Sequence, residues 1–237
     1  MTQPDPLAEH ALHHHRDVSG GWLRAAVFGA MDGLVTNIAL VAGVGAGGAD
    51  PQVIILTGTA GLVAGAFSMA LGEFASVGTQ NEAVAAEVAV ERDEIRRYPD
   101  IERAELAMEY EQMGLSPATA AAVAAEVHND PELAVRVHIT QELGVDPTEK
   151  PSPWTAALSS FVCFAVGGVV PLIPFLLGFS SLLIGLVVGA VGLLVVGALT
   201  SWFTDRPWWF SALRQLMFGA IAAGATYLVG WLIGVSV

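Results

Sequence analysis

Two triplets of glutamate recur at helical spacing near the centre of the chain: Glu87, Glu91 and Glu94 in "NEAVAAEVAVERDE", then Glu102, Glu105 and Glu109 just past "YPD". Steps of three, four and seven residues put each triplet on one face of an α-helix. Such a face repels itself, by about 0.2–0.5 kcal/mol for each like-charged pair one turn apart, and a solvated acidic surface is its ordinary reading. Two features favour a site that collects a cation. Arg92, Arg96 and Arg103 fall mostly off the stripe, and the first stripe runs back through Glu73 to Met69 inside an apolar segment. Oxygen donors with one thioether and no thiolate suit Mn²⁺ or Fe²⁺, with Mg²⁺ and Ca²⁺ as alternatives. Met69 is either a ligand that tilts the site towards Fe²⁺ or lipid-facing filler. Carboxylates must shed protons to bind metal, so a transporter built on them can exchange metal for protons.

Asp32 in "GAMDGLVTN" and Glu73 in "SMALGEF" are the only acids well inside apolar segments. A carboxylate at the bilayer centre costs about 2.5–3.5 kcal/mol or more unless paired or hydrated, and is functional by default. No lysine or arginine is expected near their depth to form a structural ion pair. The alternative is a pair of protonated acids hydrogen-bonded for packing.

The elements that must position these groups follow from composition. The 237 residues are 54% hydrophobic and only 14% charged, with mean hydropathy +0.58 and net charge −13. Charge is concentrated in residues 81–152, which hold 16 of the 23 acids and 6 of the 10 bases. The expected class is an all-α membrane protein with one polar insertion. Five segments reach the roughly 20 apolar residues that a spanning helix needs: 23–46, 53–79, 154–178, 180–201 and 212–235. "PLIP" (Pro171, Pro174) should kink or break the third, with neighbouring helices satisfying the freed backbone groups. Glycines four apart (29/33, 43/47, 61/65, 185/189, 230/234) permit close helix contact. Trp22, Trp154, Trp208 and Trp209 fall at span ends, where indoles favour the interface.

With five spans, all ten basic residues fall on one side. By the positive-inside rule that side is the cytosol, so the N-terminus and the insertion are cytosolic and the C-terminus is outside. The expected organisation is a cytosolic tail (1–21), spans one and two (22–80), a glutamate-rich cytosolic helical metal-binding domain (81–152) and spans three to five (153–237). Within the insertion, "YPD" ends the stalk that continues span two. "GLSP" supplies a stop, a cap at Ser116 and a proline at the first helical position. "HNDPE" marks another break, and "ELGVDPTEKPSP" the linker back to the membrane, giving three or four short helices. No cleavable signal peptide is expected. A lone Cys163 in an apolar run excludes a disulfide framework or cysteine metal cluster.

The stretches "RDVSGGWLRAAVFGAMDGLVTNIALVAGV", "AGAFSMALGEFASVGTQNE" and "PLIPFLL", with the glutamate-rich insertion between them, resemble the vacuolar iron transporter family over residues 16–237. The resemblance implies a homodimer of five-span protomers with a metal pathway at the dimer interface. It also implies a cytosolic metal-binding domain and proton-driven export of Fe²⁺ or Mn²⁺, with no organic cofactor. Carried onto this chain, it assigns Asp32, Met69 and Glu73 to the pathway. Glu91, Glu94, Glu102, Glu105 and Glu142 become ligands of the cytosolic domain. The chain departs from the pattern at "VHITQELG": where relatives often carry a methionine and an acid, it has His138 and Ile139. His138 shares a helical face with Glu142, either as an imidazole ligand replacing a thioether or as a surface histidine. Loss of an acid at Ile139 leaves the number of bound ions open.

His10, His13, His14 and His15 read as a polar tail with weak metal binding as the alternative. A membrane-tethered metal buffer or sensor is a competing function, disfavoured because a buffer needs no acids within the bilayer. An intramembrane hydrolase lacks any histidine at membrane depth to activate Cys163, so no enzyme is expected. Nucleic acid is disfavoured by the acidic insertion. The short loops suggest a bacterial inner membrane.

Overall fold

The computed structural model describes residues 21–203 and 206–235; the tail histidines His10, His13, His14 and His15 lie outside the described residues. The chain is helical, with no strand among the described residues. In order come α1 (Gly21–Ala46), α2 (Pro51–Arg97), α3 (Pro99–Gln112), α4 (Pro117–Val127), α5 (Pro131–Leu143) and α6 (Pro153–Val169). A 3₁₀ turn (Val170–Leu172) leads into the short α7 (Ile173–Leu176), followed by α8 (Leu182–Thr200) and α9 (Trp208–Val235). Among the described residues, five stretches are long and apolar enough to cross a membrane: Trp22–Ala46, Pro51–Arg97, Pro153–Leu176, Leu182–Thr200 and Trp208–Gly234. The five-span, all-helical expectation is therefore met. The protein is an integral membrane protein.

Prolines set the starts. Helices α2 to α6 each begin on proline, whose fixed φ suits the first helical position and whose missing N–H costs nothing there. The Ser116 side chain caps α4 by accepting from the Thr119 N–H, as its position in "GLSP" predicts. Asp130 caps α5 by accepting from the Glu132 and Leu133 N–H groups. Gly144 ends α5 in the left-handed region, φ 67°, where a Cβ would be strained.

Two compact units are present. One runs to Glu73 and resumes at Trp154; the other is Phe74–Pro153. In the first, α1 is the central helix, burying Leu34, Ile38, Val41 and Ala42 and packing against α8 and α9. At the proline break after α6, Asn37 on α1 donates from Nδ2 to the Gly168 carbonyl at 2.6 Å. A neighbouring side chain thus serves a backbone group in the apolar layer, as such a break requires. Close approach of α1 to α6 depends on Gly33, where a Cβ would collide with the Phe164 carbonyl oxygen and sit 2.9 Å from the Gly168 nitrogen. That contact fixes which way the adjacent Asp32 faces.

In the second unit, Ile95 from the end of α2 packs with Ala134, Val135 and Ile139 of α5. Ile139 is fully buried, which explains why no acid stands there: this position is core.

Gly33→Ala should destabilise the detergent-solubilised protein by about 1–3 kcal/mol, because backbone atoms cannot rotate out of the way. Gly224, with nothing within 4 Å of a built Cβ, should tolerate alanine with no loss in a thermal unfolding scan.

Candidate metal centre

Three helices of the unit Phe74–Pro153 converge their acids. The last turns of α2 supply Glu91 and Glu94, α3 supplies Glu102, and α5 supplies His138 and Glu142. Ligand atoms of Glu91, His138 and Glu142 all lie within 4.8 Å of one another, and so do those of Glu91, Glu94 and Glu102. Glu91 belongs to both groups. Only 5% of Glu91, 7% of Glu102 and none of His138 is exposed, which is unusual for unpaired ionisable groups.

The arginines do not relieve this charge. Arg92 forms a bidentate pair with Glu132 at 3.0 and 2.8 Å. Arg96 and Arg97 both hold Asp93, and Arg103 holds Asp100. Among the described residues, no arginine ion pair reaches Glu91, Glu94, Glu102, Glu105, Glu109 or Glu142. These four arginines are thus matched to acids outside the site.

The consequence is a shifted protonation pattern. Burial, then the charges of Glu142, Glu102, Glu94 and Glu105, pushes the Glu91 carboxyl up to about 7. Burial and then Glu105 raise Glu102 and Glu109, and burial and then Glu109 raise Glu142. Burial, then neighbouring His128, lowers His138 to about 4. The 3.1 Å approach of His138 Nδ1 to Glu91 Oε1 is therefore no ion pair at neutral pH. Both atoms are buried without a hydrogen-bond partner. Two donor atoms bound at about 2.1 Å to one octahedral ion sit about 3 Å apart, so this spacing is that of neighbouring ligands. The Glu142 Oε1 atom lies 3.8 Å from the same nitrogen.

Of the residues expected from sequence, Glu91, Glu94, Glu102, His138 and Glu142 come together here. Glu105 stands in neither ligand group and acts on Glu91, Glu102, Glu109 and Glu142 through its charge. Two further groups belong to the site. Glu109, third in its triplet, has a buried Oε2 with no partner. His128 places Nε2 3.1 Å from His138 Nε2; the sequence marked it only as part of a helix break.

In the other unit, Asp32 is exposed on α1, with Thr36 one turn on as its hydrogen-bond neighbour. Met69 and Glu73 are half-buried on α2. The expectation that no basic group reaches these acids is corrected at Glu73, whose Oε2 accepts from Arg24 Nη2 at 3.3 Å. Arg24 opens α1, and its long apolar stem lets the guanidinium travel along the helix to an acid.

The profile of the VIT family matches residues 23–231. The chain belongs to the VIT family. It is 32% identical over 232 residues to vacuolar iron transporter 1 of Oryza sativa subsp. japonica, covering 94% of this chain and 91% of that one. The vacuolar iron transporter of Acanthamoeba castellanii is 33% identical over 230 residues, covering 96% and 84%. Vacuolar iron transporter homolog 2 of Arabidopsis thaliana is 34% identical over 216 residues, covering 90% and 85%. The VIT family is a family of transporters, so the hydrolase reading is set aside.

In this VIT family chain, Glu91 must lose its proton to ligate a cation. Affinity measured by titration calorimetry with Zn²⁺, on a chain whose four tail histidines are glutamine, should fall at least tenfold from pH 8 to pH 6. The sign for stability is opposite. The raised carboxyl binds more protons folded than unfolded, so metal-free stability declines as pH rises from 4.5 to about 7. Glu91→Gln should therefore raise the metal-free melting temperature at pH 8 and abolish most Zn²⁺ binding. A pH-independent affinity would remove Glu91 from the site.

Proposed function

We propose that the protein exports divalent iron from the cytosol in exchange for protons, with the cluster around Glu91 capturing the ion. The observation that carries this reading is a buried group of carboxylates and one imidazole, with nearby Arg92, Arg96, Arg97 and Arg103 all paired to acids outside it. Family membership supplies the transport class, and the curated relatives named above are iron transporters. Imidazole suits Fe²⁺ better than Mn²⁺, whereas carboxylates accept both. Manganese is then a slower second substrate.

At the membrane, Asp32, Met69 and Glu73 form the pathway. An exposed aspartate at bilayer depth is too costly to face lipid, which favours a homodimer that covers Asp32 with a second copy. Arg24 holds Glu73 until a cation competes for the carboxylate. The ten basic residues support a cytosolic N-terminus and insertion, and the short loops a bacterial inner membrane. Protons return through the same carboxylates, since each must be deprotonated to bind metal and is released by protonation.

Proteoliposomes with an imposed pH gradient test this reading. Fe²⁺ uptake should be accompanied by opposing proton flux, with Mn²⁺ slower. Asp32→Ala should abolish uptake. Glu102→Ala with Glu105→Ala should lower uptake several-fold at limiting Fe²⁺ and far less at saturating Fe²⁺. Normal transport by Asp32→Ala would refute the pathway, and an undetectable proton flux the exchange.

A further inference from the structure

His128 sits at the C-terminal end of α4 and His138 in the middle of α5. Their rings meet edge to face, with centroids 5.2 Å apart and planes at 77°. The contact is polar as well: the two Nε2 atoms are 3.1 Å apart, so one must carry the hydrogen and the other accept it. Which does so decides what His138 can be. A neutral imidazole has a single N–H. If His128 donates, His138 must carry its hydrogen on Nδ1, which then points at Glu91 as a donor and has no lone pair for a metal. If His138 donates from Nε2, its Nδ1 lone pair faces Glu91 and Glu142. The second arrangement matches the geometry, because His138 Nδ1, fully buried and 3.1 Å from Glu91 Oε1, makes no hydrogen bond.

We propose that His128 is a positioning residue for the metal centre. Its Nε2 accepts the His138 Nε2–H, locking the tautomer and ring orientation that present the Nδ1 lone pair between Glu91 and Glu142. Metal-ligating histidines generally hand their other N–H to an acceptor, and loss of that acceptor typically costs 10–100-fold in affinity. Here the acceptor is a second imidazole brought in by a different helix. The same device biases the site towards ions that favour nitrogen, because only a locked lone pair competes with the surrounding oxygens. The inference rests on the metal-capture reading of the Glu91 cluster.

The chain has six histidines, four of them in the tail. Full-length protein with His10, His13, His14 and His15 changed to glutamine keeps His128 and His138 alone. With ¹⁵N-histidine labelling, the metal-free spectrum at pH 7.5 should show one ring, absent in His138→Gln, protonated on Nε2. Co²⁺ titration followed by d–d absorption gives affinity on the same sample. His128→Phe keeps an aromatic ring and removes the acceptor; it should scramble the His138 tautomer and weaken Co²⁺ by about 10–100-fold, with a smaller loss for Mn²⁺. His128→Gln, whose amide oxygen can accept, should restore most of the affinity. Equal Co²⁺ affinity in wild type and His128→Phe would overturn the proposal while leaving the metal centre standing. So would a His128→Gln as weak as the phenylalanine variant, or a wild-type His138 protonated on Nδ1. A wild type that binds neither ion would overturn the proposal together with the capture reading beneath it.

Discussion

The structure turns on uncompensated repulsion. Three helices press buried Glu91 and Glu102 together with their neighbours, with no arginine ion pair to them among the described residues, although four arginine ion pairs form in the same unit. Burial, and then the like charges gathered around it, pushes the Glu91 carboxyl up to about 7. A chain selected only for stability would swing one arginine inward. This one ties Arg92, Arg96, Arg97 and Arg103 to Asp93, Asp100 or Glu132 instead. The carboxylates thereby stay free of arginine partners, as the proposed cation capture requires.

Holding such a cluster requires rigidity in the elements that carry it. Proline starts on α3, α4 and α5, the Ser116 and Asp130 caps, and the left-handed Gly144 stop fix where each short helix begins or ends. The apolar contact of Ile95 with Val135 and Ile139 binds α2 to α5 right beside the acids, since Ile95 follows Glu91 by one turn and Val135 precedes Glu142 by two. Burial of these few side chains, at about 25 cal/mol per Å², must offset the repulsion in the metal-free state. A divalent ion bound as proposed would remove that tension, so that ligand and fold would stabilise each other.

Much of this was legible in the residues. Spans announce themselves by apolar length, and four of the insertion's boundaries by proline, because both signals are local. The carboxylate triplets were visible for the same reason: helical spacing is a property of one segment. What lay hidden depended on contacts between segments. Arg24 meets Glu73 forty-nine positions later, a pairing that span depth alone does not reveal. His128 and His138 lie on different helices across a break, so no single periodicity joins them. Ile139 read as a lost ligand, whereas packing makes it core. The partition of arginines away from the acids was suggested by their positions off the stripe, but their actual partners needed the folded unit.

The most direct test of a captive cation site is diffraction from crystals of the full-length protein grown with Fe²⁺ under anaerobic conditions, recorded on either side of the iron absorption edge. The account predicts an anomalous peak bounded by Glu91, His138 and Glu142, with any second peak between Glu91, Glu94 and Glu102. Iron found only on exposed acids such as Asp100 or Glu132, with the Glu91 cluster closed on itself by hydrogen bonds, would contradict it.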